Sequence, residues 1–246
     1  DSCGYASCCT DFSSASSEAN RDCLRCSETM DNEMVASDEN YISESSSRRY
    51  PLAQPDFSFT TQSLMRAGVE LEVECGQGNR YRVAGAIKNS AIGRSFLLKN
   101  DGSLNNGFEL VTGALGLEYH QALWLEATKV AKLAGARSWK HHSTGMHVHI
   151  SRSSVTPLTI GKVLVFLNSQ RTRIPIVKLA GRTSANYAAL AKKKLTDAMQ
   201  QGNNRYESLN TCNSATIEFR IFKGTLDCEH ILANLEFCFG VCHWAA

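Results

Sequence analysis

The chain has 246 residues, 43% of them hydrophobic, ten cysteines and a formal charge of only +2. That length suffices for one large domain or two small ones with a buried core, and 8% aromatic residues with a mean hydropathy of −0.24 exclude a wholly disordered chain. No run of about eighteen apolar residues occurs, which excludes a membrane-spanning helix. Nothing near Asp1 has the layout of a signal peptide, so a start without methionine reads as a processed or truncated product. The small net charge is a cancellation. Residues 1–47 hold two Arg against ten Asp and Glu, net −8, and the rest of the chain holds 24 basic against 14 acidic residues, net +10.

Taken in order, residues 1–55 read as an acidic tail and linker, with twelve serines in the first 47 positions and too few large apolar side chains to offset the entropy of ordering. Five cysteines fall in this stretch. Cys3, Cys8 or Cys9, Cys23 and Cys26 could bind one structural Zn²⁺, and disorder or disulfide pairing are the alternatives. The other five (Cys75, Cys212, Cys228, Cys238, Cys242) mostly lie among apolar residues, as reduced core residues of a cytoplasmic protein would. The folded body, residues 56–246, opens with Gly-Val-Glu-Leu-Glu-Val-Glu at 68–74. There Val69, Leu71 and Val73 alternate with Glu70, Glu72 and Glu74, which predicts a strand with one apolar and one carboxylate face. Strands are also predicted at 81–86, 95–99, 107–111, 146–151 and 216–222, and helices at 118–133, from Thr156-Pro157 through 167, and at 226–241. Strands grouped with intervening helices, and ionisable residues on one sheet face, give an α+β class.

Three of these strands set ionisable groups opposite apolar ones: Glu70, Glu72 and Glu74, then His147 and His149, then Glu218 and Arg220. Carboxylates two residues apart repel on a free surface, whereas a cluster of carboxylate oxygens with an imidazole suits a divalent cation. An adjacent arginine adds a fork for phosphate oxygens. Together they point to Mg²⁺-nucleotide chemistry on a sheet face, because neither G-x-x-x-x-G-K-[ST] nor G-x-G-x-x-G is present.

The string Ser-Thr-Gly-Met-His-Val-His-Ile-Ser at 143–151, with Gly-Val-Glu-Leu-Glu at 68–72 and Thr-Ile-Glu-Phe-Arg at 216–220, resembles the carboxylate–amine ligase superfamily of glutamine synthetase and γ-glutamylcysteine ligase. Asp-Gly-Ser-Leu at 101–104, Gly-Phe-Glu-Leu-Val at 107–111 and Lys-Gly-Thr-Leu-Asp at 223–227 make it most similar to the amidoligase branch, over about residues 66–240. The resemblance implies an antiparallel sheet of the glutamine-synthetase catalytic type, with helices on one face and the active site on the other. It implies Mg²⁺ ligands at Glu70, Glu72, Glu109, His147 and Glu218. His149 would lie by phosphate or substrate, Arg220 and Arg205 on phosphate or the acyl group, and Asp101 or Glu74 at the amine, with Asp101 equally readable as a turn residue. Arg182 and Tyr187 would serve the substrate, and Lys140, His141 and His142 read as a solvated loop. The implied reaction joins a carboxylate to an amine, each from an amino acid, peptide or cell-wall component, at the expense of ATP.

Two other classes remain open on sequence grounds. One is a phosphotransferase of the same fold. The other is a non-catalytic virion, scaffold or nucleic-acid-associated protein reusing that fold, although retention of the glutamates, histidine and Glu218–Arg220 pair speaks against it, and nucleic acid is not the expected partner. A zinc protein using His147-Val148-His149 is a further option, since H-x-H with glutamates can ligate transition metals.

Overall fold

Alternation in the 68–74 segment does what period-two geometry requires. In the computed structural model, which describes residues 42–43, 65–76, 80–139, 144–182, 193–199 and 205–246, Val69, Leu71 and Val73 are fully buried and their glutamate neighbours face the other way. This strand, β2 (Ala67–Cys75), lies at the middle of one sheet. Its other members are β1 (Ile42–Ser43), β3 (Phe96–Lys99), β4 (Gly107–Thr112), β5 (Ala136–Arg137), β6 (Gly145–Ser151), β7 (Leu209–Asn210) and β8 (Thr216–Lys223). The order is β1-β3-β4-β2-β6-β8-β7, with β5 continuing along β2; every pairing is antiparallel except β1 with β3.

Five α-helices complete the described residues: α1 (Arg80–Lys88), α2 (Leu117–Leu133), α3 (Pro157–Asn168), α4 (Arg173–Ala180) and α5 (Cys228–Ala245). All five contribute to one apolar cluster with the strands' buried residues, among them Ile87, Trp124, Leu167, Ile176 and Leu235. The architecture is therefore α+β. Local chemistry explains the helix ends. Thr156 caps α3 through its hydroxyl, with Pro157 in the first turn, and Asp227 accepts the amide hydrogens of Glu229 and His230 at the start of α5. Gly181 ends α4 at a φ of 68°, a left-handed conformation that favours glycine. No helix of the described residues is long and apolar enough to cross a membrane.

Three features depart from the sequence expectation. Residues 81–86 form a helix, not a strand: Tyr81 and Val83 suggested alternation, but Val83, Ala84 and Ile87 make the one-sided pattern of a helix. Ile42 and Ser43, expected within the tail, pair with Leu98 and Lys99, and Ile42 is buried. Helix α4 and the short strands β5 and β7 were not anticipated, being too short to show a period. The later cysteines are all free; Cys75, Cys238 and Cys242 are buried, Cys228 is half-buried, and Cys212 is exposed. Burial pushes the Cys75 and Cys242 thiols up to about 12, as expected of inert core residues. The cysteines Cys3, Cys8, Cys9, Cys23 and Cys26 lie outside the described residues.

Helix α2 is tied to β2 by a buried polar chain. Trp124 donates its indole N–H to His120 Nδ1 at 3.2 Å, and His120 Nε2 donates to the Ala67 carbonyl at 2.9 Å, so both ring nitrogens are used by a neutral imidazole. Burial holds this histidine down at about 4. The unfolded chain therefore binds a proton near pH 6.5 that the folded chain refuses. Stability from this group is complete above pH 6.5 and is lost as pH falls towards 4. Denaturant titrations should show that loss in the wild type and a shallower one in His120→Gln; equal slopes would refute the assignment.

Gly107 sits where β4 crosses β2, and a Cβ there would lie 2.1 Å from the Val73 carbonyl oxygen. Backbone cannot yield as a flexible side chain does. Gly107→Ala should cost about 2–3 kcal/mol by overpacking, read as a lowered Tm.

Candidate functional site

Cross-strand register, more than sequence proximity, assembles the polar face. Glu72 lies opposite Glu109, which lies opposite Lys99, giving a row across β2, β4 and β3. Glu70 lies opposite His147 on β6, His149 opposite Glu218 on β8, and Glu218 opposite Asn210 on β7. Glu72, Glu109, His147 and Glu218 are each no more than 6% exposed. These are buried ionisable groups, not a solvated sheet face.

Two groups of these side chains could each hold a metal ion. Glu70, His149 and Glu218 form one, and Glu72, Asp101 and Glu109 the other, with ligand atoms within 4.8 Å of one another in each. His147 stands between them: its Nδ1 is 3.5 Å from both Glu70 Oε2 and Glu218 Oε1, and its Nε2 is 4.0 Å from Glu72 Oε1. His149 Nε2 is 3.5 Å from Glu70 Oε1. Neither His147 Nδ1 nor His149 Nε2 has a hydrogen bond of good geometry, although both atoms are buried. Buried nitrogen with no bonded partner is costly, and two such atoms aimed at carboxylates fit a cation-binding role. The donor set suits the two cation groups differently: one is all oxygen, the other oxygen and nitrogen.

Electrostatics follow from burial opposed by neighbours. Desolvation raises the Glu109 carboxyl to about 8, reinforced by the Glu70 charge and only partly relieved by Lys99. Burial likewise raises Glu72, against the pull of His147 and the Gly145 amide. At Glu70 burial is outweighed by the His147 and His149 imidazoles beside it, which hold it well below the usual range. Asp101 is also lowered, because contacts with the Ser103 hydroxyl and amide overcome its burial.

Glycine and loop chemistry set the remaining pieces. The Gly145 amide donates to Glu72, and Arg182 donates to the Thr144 carbonyl at 3.1 Å. A Cβ on Gly145 would lie 2.4 Å from the Arg182 guanidinium and 3.3 Å from both Glu72 and His147, so glycine lets that arginine reach the carboxylates. Glu74 has another task. Its two oxygens accept the backbone amides of Asn105 and Asn106 at 2.8 and 2.9 Å, pinning the β3–β4 loop that carries Asp101. On β8 the register slips: Met146 faces Phe222 while Val148 faces Phe219, so the Arg220–Ile221 pair opposes His147 alone. This bulge buries both Ile221 and Phe222, where simple alternation predicted Ile221 only, and Arg220 donates to Glu218 beside it.

Of the residues picked from sequence, Glu70, Glu72, Asp101, Glu109, His147, His149, Glu218 and Arg220 thus come together, and Arg182 joins them. His149, expected beside phosphate, stands with Glu70 and Glu218 in a cation group. Arg205 does not join the cluster in its described contacts: it is exposed, with its guanidinium 4.9 Å from the centre of the Tyr206 ring. Lys140, His141, His142 and Tyr187 lie outside the described residues. Sequence reasoning missed Lys99 and Asn210. Lys99 Nζ is 3.1 Å from Glu109 and 3.8 Å from Glu70, and Asn210 donates to Glu218 at 2.6 Å. The signal for Lys99 was there, since Phe96 and Leu98 face the core and Lys99 must face away. No protein-family model matches the chain, and no curated protein matches it.

The raised Glu109 fixes a pH dependence for the cation-free protein. Above about pH 4.5 the unfolded carboxyl is ionised, while the folded one keeps its proton up to about 8. Stability should therefore fall as pH rises through 6.5–8, a window in which His120 is silent and His149, raised by Glu70 and Glu218 against its burial, adds to the fall. Denaturation in EDTA at pH 6.5 and 8 checks this, with added Mg²⁺ or Mn²⁺ stabilising more at the higher pH and Glu109→Gln flattening the trend.

Proposed function

We propose that this sheet face belongs to an ATP- and Mg²⁺-dependent carboxylate–amine ligase related to the amidoligases, in a fold of the glutamine-synthetase catalytic type with helices on one side of the sheet and the site on the other. The observation that carries the reading is the pair of buried ligand groups flanking His147. The ordered motifs at 68–72, 101–104, 107–111, 143–151, 216–220 and 223–227 supply the reaction class. In this reading Glu70, His149, Glu218 and His147 would serve one Mg²⁺, and Glu72 and Glu109 a second, with Asp101 beside it. A bound divalent cation offsets the negative charge of the polyphosphate.

The chain's own groups do the rest. Arg220 and Arg182 offer N–H donors at the edge of the carboxylate cluster, where γ-phosphate oxygens would be gripped and oriented. Asp101, held ionised by Ser103, can accept a proton from the attacking amine. Burial of the glutamates keeps water from the phosphorylated carboxylate until the amine displaces phosphate. The free thiols at Cys75, Cys238 and Cys242 agree with a cytoplasmic setting.

Two imidazole nitrogens favour, as a second reading, Mn²⁺ or Zn²⁺ over Mg²⁺ in the group that contains Glu70. Incubation with ATP, Mg²⁺ and a pool of amines and carboxylic acids should yield ADP and new amide masses. Glu70→Gln and Glu218→Gln should weaken Mg-ATP binding at least about tenfold, the loss of one charged ligand contact. Equal binding by wild type and variants would remove the site; ADP with a stable phosphorylated acceptor and no amide would turn the reading to a phosphotransferase.

A further inference from the structure

Resting on the cation reading above, we infer that the Lys99 ammonium is a built-in cation of this face, standing where a metal ion bridging Glu70 and Glu109 would otherwise bind. The two ligand groups are neighbours: Glu70 belongs to one and Glu109 to the other. Lys99 touches a member of each, 3.1 Å from Glu109 and 3.8 Å from Glu70. It arrives from the adjoining strand, in register with Glu109, so the β3–β4 ladder sets its side chain on the face of the two ligand groups. Its own backbone is also the anchor for the N-terminal strand, as Lys99 pairs with Ser43.

The chemistry of the place demands a positive charge. Five carboxylates (Glu70, Glu72, Asp101, Glu109, Glu218) crowd one face, and among the described residues the cations set against them are Lys99, Arg182 and Arg220. Arg220 donates to Glu218, in one group only, and Arg182 acts on Glu72 from the Thr144 side. Lys99 is the one that spans the two groups. An ammonium is a compact point charge with three donors, able to stand for a hard cation between carboxylate oxygens, but it cannot be chelated away. Lys99 is accordingly a positioning residue. It keeps Glu70 and Glu109 in place before any metal arrives and limits the face to separate ions, one on each side of it.

Replacing the ammonium with a neutral chain should then open a further site. The test counts Mn²⁺ bound per full-length chain by EPR titration of free Mn²⁺, alongside melting curves in EDTA. Lys99→Met and Lys99→Gln should each bind one more Mn²⁺ than the wild type. They should melt earlier than the wild type in EDTA and recover with Mn²⁺, while Lys99→Arg keeps the wild-type count. If the wild type binds no Mn²⁺, the cation reading of the whole face has failed. If the wild type binds Mn²⁺ but neither neutral variant gains an ion, the inference about Lys99 is overturned while the metal reading stands. Failure of both neutral variants to fold even in saturating Mn²⁺ also overturns it, since a divalent cation would then not replace the ammonium.

Discussion

Everything about this protein's polar face follows from one conflict: the strand pleat that buries Val69, Leu71 and Val73 forces Glu70, Glu72 and Glu74 onto the opposite face, where neighbouring strands then exclude water from them. A strand cannot bury one set without displaying the other, and a one-residue slip would exchange them. Burying like charges together is among the costliest arrangements a fold can hold. The molecule contains that cost by several means at once. Lys99 spans Glu70 and Glu109, Arg220 and Asn210 hold Glu218, the Gly145 amide holds Glu72, and the Glu109 carboxyl keeps a proton. What these leave uncompensated are two imidazole nitrogens.

The three glutamates of β2 have come to different ends because their neighbours differ. Glu74 lies past the crowd, where its two oxygens accept the amides of the β3–β4 loop. It is thereby a structural residue that holds Asp101's loop. Glu70 stands between two imidazoles and is held low, while Glu72 is pushed the other way by burial, which His147 and the Gly145 amide only partly offset. Groups with opposed shifts a few ångströms apart are what a site for charged ligands requires.

Close approach of backbones supports the same face. Gly107 lets β4 cross β2, Gly145 lets Arg182 reach in, and the bulge on β8 lets one residue of β6 face two. Each is a place where an added methyl or a removed residue would shift the strand that carries a ligand. Helix α2, through Trp124, His120 and Ala67, ties the core to the start of β2 and so to its glutamates. The site depends on packing well outside it.

The sequence by itself determined which side of each strand a residue faces, and hence that Glu70, Glu72, His147, His149 and Glu218 were candidates for one polar face, with Glu109 added by the motif resemblance. It also determined the long helices, through their one-sided apolar spacing and the Thr156-Pro157 start of α3. Those are local properties, set by backbone periods of two and 3.6 residues. Only the tertiary structure decided which strands are neighbours and at what stagger. That choice made Lys99 and Asn210 members of the site, gave Glu74 to a loop, brought Arg182 across from the end of α4, and drew Ile42 from the acidic head onto the sheet edge. Register is fixed by the sum of all cross-strand contacts and by a bulge that reverses alternation partway along β8, and neither is written in any single segment.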